Sequence, residues 1–379
     1  MTSPESAGET RDKLLFTPGP LTTSPTVKEA MLRDLGSRDT AFIAAIGSIR
    51  DGLLHLAGLS REQGYECVLM QGSGTFGVES VIGSAVPSAG KLLVVINGAY
   101  GERILKIAEV LGIECEALRC GENSKTDPEA VASCLDADDS ITTVAIVHCE
   151  TTTGIINPVE ETGAIVRDRG KTYIVDAMSS FGAVALDLEE AKIDFLVSSA
   201  NKCIEGVPGF SFAICGSAAL GRCEGQARSL SLDLYAQWKG LESNGQFRFT
   251  PPTHTILAFE KALQELVEEG GVAGRAARYS GNYDTLVAGM SVLGFKEYLP
   301  REDQGYIITS FRYPTHPDFD FTEFYTRLSE KGLVIYPGKV SDADCFRIGN
   351  IGRIQQADVE ELLAAIASVL EEMGIENGA

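Results

Sequence analysis

Cys67-Val68-Leu69-Met70-Gln71-Gly72-Ser73-Gly74-Thr75-Phe76-Gly77 joins an apolar run to a glycine-rich turn. The run is short and apolar at consecutive positions, as a strand buried on both faces requires. Glycines let backbone approach a ligand closely, and the amides that open a helix favour an anion. The following helix is expected from about Val78. The same kind of run recurs at Leu92–Ile96, Val144–Val147, Tyr173–Val175, Phe195–Val197 and Phe210–Cys215. Between the runs lie amphipathic segments: Ile104, Ile107, Ala108 and Leu111 form one stripe, and Val159 to Arg169 repeats the device. Strand–helix alternation over residues 64–215 predicts an α/β domain with a mainly parallel sheet.

Outward from this block the pattern changes. A helix from about His254 to Glu269 ends at Gly270-Gly271 and leads out of the domain. Strands near Ile307–Tyr313 and Leu333–Tyr336 and a last helix from Gln356 to Met373 predict a smaller α+β domain. Residues 1–12 are polar and expected to be loose, so that Leu14-Leu15-Phe16 is the first anchored segment. The 379 residues suit two or three domains at roughly 100–200 residues each. With 44% hydrophobic and 22% charged residues the composition is globular.

A formal net charge of −21 opposes binding to nucleic acid or to an anionic membrane. It does not oppose a small anionic substrate, since a few local cations reverse the field in one cleft. No apolar run approaches the roughly 18 residues of a membrane span. The start, Met1-Thr2-Ser3-Pro4-Glu5-Ser6, has no signal-peptide character. Nine scattered cysteines without a C-x-x-C pair suggest reduced thiols and a cytoplasmic enzyme. Four histidines (His55, His148, His254, His316), none paired at ligand spacing, argue against a metal site.

Three motifs carry chemistry. Gly72, Gly74 and Gly77 match G-x-G-x-x-G, the dinucleotide fingerprint, but the next strand runs into Asn97-Gly98-Ala99-Tyr100 without the acid that would hold a ribose. A phosphate cradle without a ribose partner, or a bare strand–helix turn, remains. Asp176 ends a buried strand, where α/β sheets bind ligands, and reads equally as a helix cap. Lys202, in Ser198-Ser199-Ala200-Asn201-Lys202-Cys203, closes another strand ahead of Gly206-Val207-Pro208-Gly209. Burial would lower its pKa and make the amine a nucleophile for a carbonyl; otherwise it is a lysine snorkelling to the surface.

A phosphate cradle, an acid for a pyridinium nitrogen and a carbonyl-capturing lysine are together what pyridoxal phosphate requires. Here the sequence resembles the class V aminotransferases, on Leu15-Phe16-Thr17-Pro18-Gly19-Pro20, Gly36-Ser37-Arg38-Asp39, His148-Cys149-Glu150-Thr151-Thr152-Thr153-Gly154, the lysine block, Phe249-Thr250-Pro251-Pro252-Thr253-His254 and Phe346-Arg347-Ile348-Gly349-Asn350. Within that class it is most similar to the branch acting on 2-aminoethylphosphonate with pyruvate as acceptor. The resemblance implies the fold-type I architecture of pyridoxal-phosphate-dependent transferases. The divisions expected are an N-terminal segment 1–24, a large cofactor-binding domain 25–269 and a small C-terminal domain 270–379.

By the same resemblance Lys202 would bind the cofactor and shuttle the proton, and Asp176 would pair with the ring nitrogen. Ser73, Gly74 and Thr75, helped by Asn201, would hold the phosphate, Tyr100 would stack on the ring and Thr151 would contact the ring hydroxyl. Thr250 would reach the phosphate from a neighbouring subunit, making the site a property of a homodimer. Arg347 would bind the substrate anion, with Pro18, Gly19 and Arg38 beside it. Taken singly, Tyr100 could be a core residue and Arg347 a surface ion pair. Three alternatives stay open: an alanine/serine–glyoxylate aminotransferase, an NAD-dependent dehydrogenase, and a lyase or desulfurase using Cys345.

Overall fold

The computed structural model describes residues 12–338, 340 and 343–375. The stretch expected to be loose lies, up to residue 11, outside the described residues. Seven strands form the central sheet: β1 (Tyr65–Gln71), β2 (Lys91–Ile96), β3 (Glu114–Arg119), β4 (Ile141–Val147), β5 (Thr172–Asp176), β6 (Phe195–Ser199) and β7 (Phe210–Gly216). Their order is β1-β7-β6-β5-β4-β2-β3. Only β7 runs against the rest, antiparallel to both β1 and β6. The mainly parallel sheet expected from the alternation is therefore present. The consecutive apolar positions of β1, β2 and β4 to β7 are buried on both sides, in one continuous core with the helices packed on the sheet.

Because the strands other than β7 point the same way, the loops leaving β1, β2, β4, β5 and β6 emerge at one edge of the sheet. That edge is where open α/β sheets bind ligands. Helix α1 (Gly74–Ala85) follows β1, and α2 (Ala99–Val110) follows β2. Helix α1 begins at Gly74, not near Val78. The glycines made this segment look like loop, but a Cβ at Gly74 would lie 2.2 Å from Met178 Sδ, and one at Gly77 2.6 Å from Ser211 Oγ. These glycines bring the first helical turn tight against β7 and the loop after β5.

Helix α3 (Thr253–Glu268) packs in the main core and is followed by α4 (Gly271–Val292), which contributes Tyr283, Leu286 and Met290 to a second one. The second core holds a three-stranded antiparallel sheet with β10 (Cys345–Gly349) between β8 (Ile308–Arg312) and β9 (Tyr336–Pro337), together with α5 (Gln356–Glu372). Phe346 of β10 meets Phe295 edge-on at 5.5 Å. The Leu14–Leu15 strand pairs in parallel with Leu333–Val334, and Phe16 enters this second core. Among the described residues no helix is long and apolar enough to cross a membrane.

Candidate active site

A cleft of about 270 Å³ opens at the carboxyl edge of the parallel strands, near the lower end of the ~300–1,000 Å³ range of small-molecule sites. It is lined by Gly19, Ser73, Gly74, Thr75, Tyr100, Asp176, Asn201 and Lys202, all singled out from the sequence. Arg103, Met178 and Ser199, which were not, line it too.

Asp176 ends β5, and its Oδ1 accepts the backbone N–H of Met178 at 2.9 Å, so part of its role is to close a turn. Its carboxyl is buried. Loss of water is the largest influence on it; with Glu150 nearby also opposing ionisation, the pKa is pushed up to about 6 despite the Met178 hydrogen bond and the cations of Arg103 and Lys202. A cationic group set against Asp176 would reverse that balance.

Lys202 follows β6. Removal from water is the largest influence on its amine and draws it below the ordinary lysine range. Nζ donates to the Pro18 carbonyl. Gly19, at φ +121°, has no room for a side chain, because a Cβ would stand 2.5 Å from Lys202 Nζ. The carbonyl of Lys202 is tied back by the N–H of Glu205 at 2.7 Å.

Ser73 is the extended residue before α1, and its side chain makes no capping bond. The first amides of that helix, Gly74 and Thr75, have no acceptor within the helix. Ser199 Oγ, also in the cleft wall, is buried without a partner. Unused donors, a lysine amine and a buried carboxyl lining one cleft are the groups that the phosphate, the aldehyde and the ring nitrogen of pyridoxal phosphate call for. The donor set fits the cofactor.

Tyr100 and Arg103 are three residues apart on α2, hence on one face, with the guanidinium 4.7 Å over the phenol ring. Arg103 also donates to Thr75 Oγ1 at 3.3 Å. That spacing was the signal available for finding Arg103. Glu150, likewise missed, is fully buried and accepts from the N–H groups of Tyr100 (3.2 Å), Gly101 (3.3 Å) and Thr152 (3.0 Å) and from the Thr152 hydroxyl (2.6 Å). It caps α2 from the end of the short strand Cys149–Glu150, fifty residues further along the chain.

Arg347 is buried in β10, opposite Ser310 and Tyr336 in register. Its Nε donates to the Pro337 carbonyl at 3.0 Å and Nη1 to the Thr151 carbonyl at 2.7 Å, and the guanidinium lies 5.1 Å over the Tyr336 ring. The Tyr100 hydroxyl is a further partner. Arg347 is therefore no surface ion pair. Thr151 is buried behind the cleft rather than in its lining.

Five expected residues are absent from the lining of this cleft: Pro18, Arg38, Thr151, Thr250 and Arg347. Arg38 and Thr250 line a separate surface recess with Ser37, Arg248 and Pro251. The loop of Arg38 is committed to Asp39, which caps the helix Thr40–Leu56, and Gln71 holds the Thr250 carbonyl. The dinucleotide alternative loses its support as well. Asn97 stands where the ribose acid would be and is spent on a buried pair with Asn157, at 2.8 and 3.0 Å. Cys345 lies buried within β10 and not on a loop at the cleft, so a desulfurase has no nucleophile there.

The profile of the family described as Aminotransferase class-V matches residues 29–345. The 2-aminoethylphosphonate–pyruvate transaminase of Salmonella schwarzengrund is 54% identical over 362 residues, covering 95% of this chain and 98% of its own. That of Vibrio vulnificus is 55% identical over 359 residues, covering 94% and 97%. The crystal structure of ureidoglycine-glyoxylate aminotransferase from Bacillus subtilis aligns with a TM-score of 0.89 at 23% identity, over 98% of this chain and 96% of that one, a likeness of fold alone. Pyridoxamine-pyruvate aminotransferase from Mesorhizobium loti aligns at 0.87 with 25% identity, over 98% and 96%.

Proposed function

The chain belongs to the class V aminotransferase family, and from that premise we propose that it transfers the amino group of 2-aminoethylphosphonate to pyruvate, giving phosphonoacetaldehyde and L-alanine. The enzyme is pyridoxal-phosphate-dependent, as its class is. One observation carries the reading of the site. Asp176 and Lys202, from the adjacent strands β5 and β6, line one cleft with the helix start at Ser73, Gly74 and Thr75.

The cofactor, when bound, supplies an aldehyde that captures the substrate amine and a cationic ring that withdraws electrons from the carbon beside nitrogen. Lys202 would hold that aldehyde between turnovers and would carry the proton from the donor carbon beside nitrogen to the former aldehyde carbon. Burial draws its pKa below the ordinary lysine range, the direction that favours the neutral amine both tasks need. Asp176 keeps the ring nitrogen protonated. Ser73, Gly74 and Thr75, with Asn201, would hold the phosphate and Tyr100 would cover the ring; Thr151, buried behind the cleft, would act through the Arg347 guanidinium that its carbonyl holds. Arg347 receives the phosphonate of the donor and, in the second half, the carboxylate of pyruvate. Pro18 and Gly19 close the lysine's side of the cleft.

The active form is proposed to be a homodimer. The recess of Arg38 and Thr250 lies beside exposed Phe249, which is 42% accessible, and the Arg248 guanidinium stands over that ring while donating to the carbonyl of exposed Leu230. A second copy covering this apolar and basic surface would bring its Thr250 to the neighbouring phosphate. The units 25–269 and 270–379 are proposed as large and small domains, each built on its own core. Nine free thiols support a reducing, cytoplasmic setting.

The test is a half-reaction. The loaded enzyme is given 2-aminoethylphosphonate alone, and the visible absorbance of the aldehyde form should convert to that of the amine form with release of phosphonoacetaldehyde. Conversion by alanine or serine with glyoxylate, and none by the phosphonate, would overturn the substrate assignment.

A further inference from the structure

Behind Lys202, on the side away from the cleft, lies a buried charge cluster that neither hydrophobic core accounts for. Glu205, three residues past the lysine, is 3% exposed and adopts φ +65°, a left-handed conformation unfavourable for a residue other than glycine. Its carboxylate is gripped from α4: Oε1 accepts from Tyr279 Oη at 2.6 Å and Arg278 Nη2 at 2.7 Å and lies 3.3 Å from Arg275 Nη1. Arg275 also donates to the Cys203 carbonyl. Glu269 accepts from both arginines, at 2.7 and 2.6 Å, so that two carboxylates balance two guanidiniums.

The other side of this cluster grips the exit of β10. The N–H of Gly352, three residues beyond the end of the Arg347 strand, donates to Tyr279 Oη at 3.1 Å. Arg278 Nη1 donates to the carbonyls of Gly352 at 2.6 Å and Ile354 at 3.0 Å. One phenol oxygen thus joins the turn that ends in Glu205 to the segment that follows Arg347. Tyr279 is fully buried, and burial raises its pKa well above the usual range, so it stays a neutral donor to Glu205 while accepting from Gly352. A buried ion cluster is a weak source of net stability compared with apolar packing of the same volume. What this one supplies is a fixed distance.

We propose that Tyr279 is a positioning residue for the transamination, setting the separation between Lys202 and Arg347 and thereby the length of amine donor that fits between them. This rests on the reading of Lys202 as the amine that holds the cofactor and of Arg347 as the anion receptor. A donor whose anion sits one methylene too far from its amine is rejected because neither end of the site can yield. Loosening the tie admits it and misaligns the natural donor.

The test compares wild-type holoenzyme with Tyr279→Phe, which keeps the ring and removes only the oxygen. The donors are 2-aminoethylphosphonate and its three-carbon homologue, 3-aminopropylphosphonate. The variant should lose ~10-fold in kcat with the shorter donor. Its ratio of kcat/KM values for the two donors should fall at least ~5-fold, a change that loss of stability alone does not produce. Amide hydrogen exchange of the same holoenzymes should rise together in 202–206 and 351–354. Arg278→Lys, which keeps the charge but cannot hold Glu205 and Gly352 at once, should relax the same ratio if Tyr279→Phe does not fold. An unchanged ratio, or faster exchange in only one segment, overturns the proposal. Absence of turnover with 2-aminoethylphosphonate in the wild type as well would instead overturn the functional reading beneath it.

Discussion

Arg347 Nη1 donates to the carbonyl of Thr151 at 2.7 Å, joining the middle strand of the C-terminal sheet to the loop that follows β4. With Nε on the Pro337 carbonyl at 3.0 Å, the guanidinium is oriented by two backbone carbonyls. Lysine carries the charge but not the planar fork, and it cannot satisfy both carbonyls and an anion together. Arg347→Lys is expected to lower kcat/KM for 2-aminoethylphosphonate about 100-fold, the order of one charge-assisted hydrogen-bond pair. Steady-state kinetics on the folded variant checks it. A loss under 3-fold would move the anion site elsewhere, Arg103 being next in line.

Lys202→Ala removes the amine while leaving the Ser73–Thr75 helix start and Asp176 intact. The variant should retain the fold and take up pyridoxal phosphate, yet show no covalent attachment and no visible band of the wild-type kind. Turnover should fall by at least ~10⁴-fold, beyond the 10²–10⁴ typical of a general base alone, because a covalent anchor is lost as well. Absorbance spectra and borohydride trapping followed by mass spectrometry read the attachment directly. Trapping at another lysine would overturn the assignment.

Asp176 gives a pH dependence with a definite sign. In the cofactor-free protein burial pushes its pKa up to about 6, against 3.8 for an unperturbed aspartate. Below about pH 4 the carboxyl is protonated in both folded and unfolded chains and costs nothing. Between pH 4 and 6 the unfolded chain has released the proton while the folded one still holds it, so stability falls as pH rises. Above 6 the penalty is complete, at about 3 kcal/mol. Asp176→Asn keeps the acceptor for the Met178 N–H and never ionises. Urea unfolding of cofactor-free protein should show the asparagine variant gaining on wild type across that window and no further. A gap independent of pH would sink the idea.

Asp176 and Lys202 are readable in the sequence because one ends a strand and the other follows one closely, and a strand buried on both faces announces itself by consecutive apolar positions. Val175 before Asp176 and Val197 before Ser198 are such cases, and both are fully buried. The edge strand β3 was missed for the converse reason. Glu114-Cys115-Glu116-Ala117-Leu118-Arg119 pairs on one side only and lies half exposed, so its charges read as loop. The start of α1 was placed late because Gly72, Gly74 and Gly77 look like a flexible turn; their reason is space, taken by Phe76, Met178 and Ser211. Arg103 and Glu150 were beyond reach for another cause. Their chemistry depends on which loops meet at the sheet edge, and the quoted stretch around Glu150 carries no sign that it caps a helix beginning at Ala99.

That cap makes the last prediction. Glu150 has no counter-ion within its hydrogen bonds; it is held by three backbone N–H groups and one hydroxyl, and burial pushes its pKa up against their combined pull. Every neighbour is a donor, so the site demands an acceptor at both oxygens. Glutamine offers an acceptor at one and two N–H groups at the other, and whichever way it turns, donor faces donor at α2 or at Thr152. Glu150→Gln should therefore cost about 1–3 kcal/mol in stability, the penalty of a buried donor left unsatisfied, although the shape is unchanged. If the amide faces α2, the displaced turn carries Tyr100, which lines the cleft and is a partner of Arg347. Affinity for pyridoxal phosphate should then weaken ~10-fold by fluorescence titration, with the pH dependence of Asp176 shifted downward because the carboxylate that opposes its ionisation is gone. A variant of unaltered stability and affinity would mean that α2 is positioned by its apolar face alone.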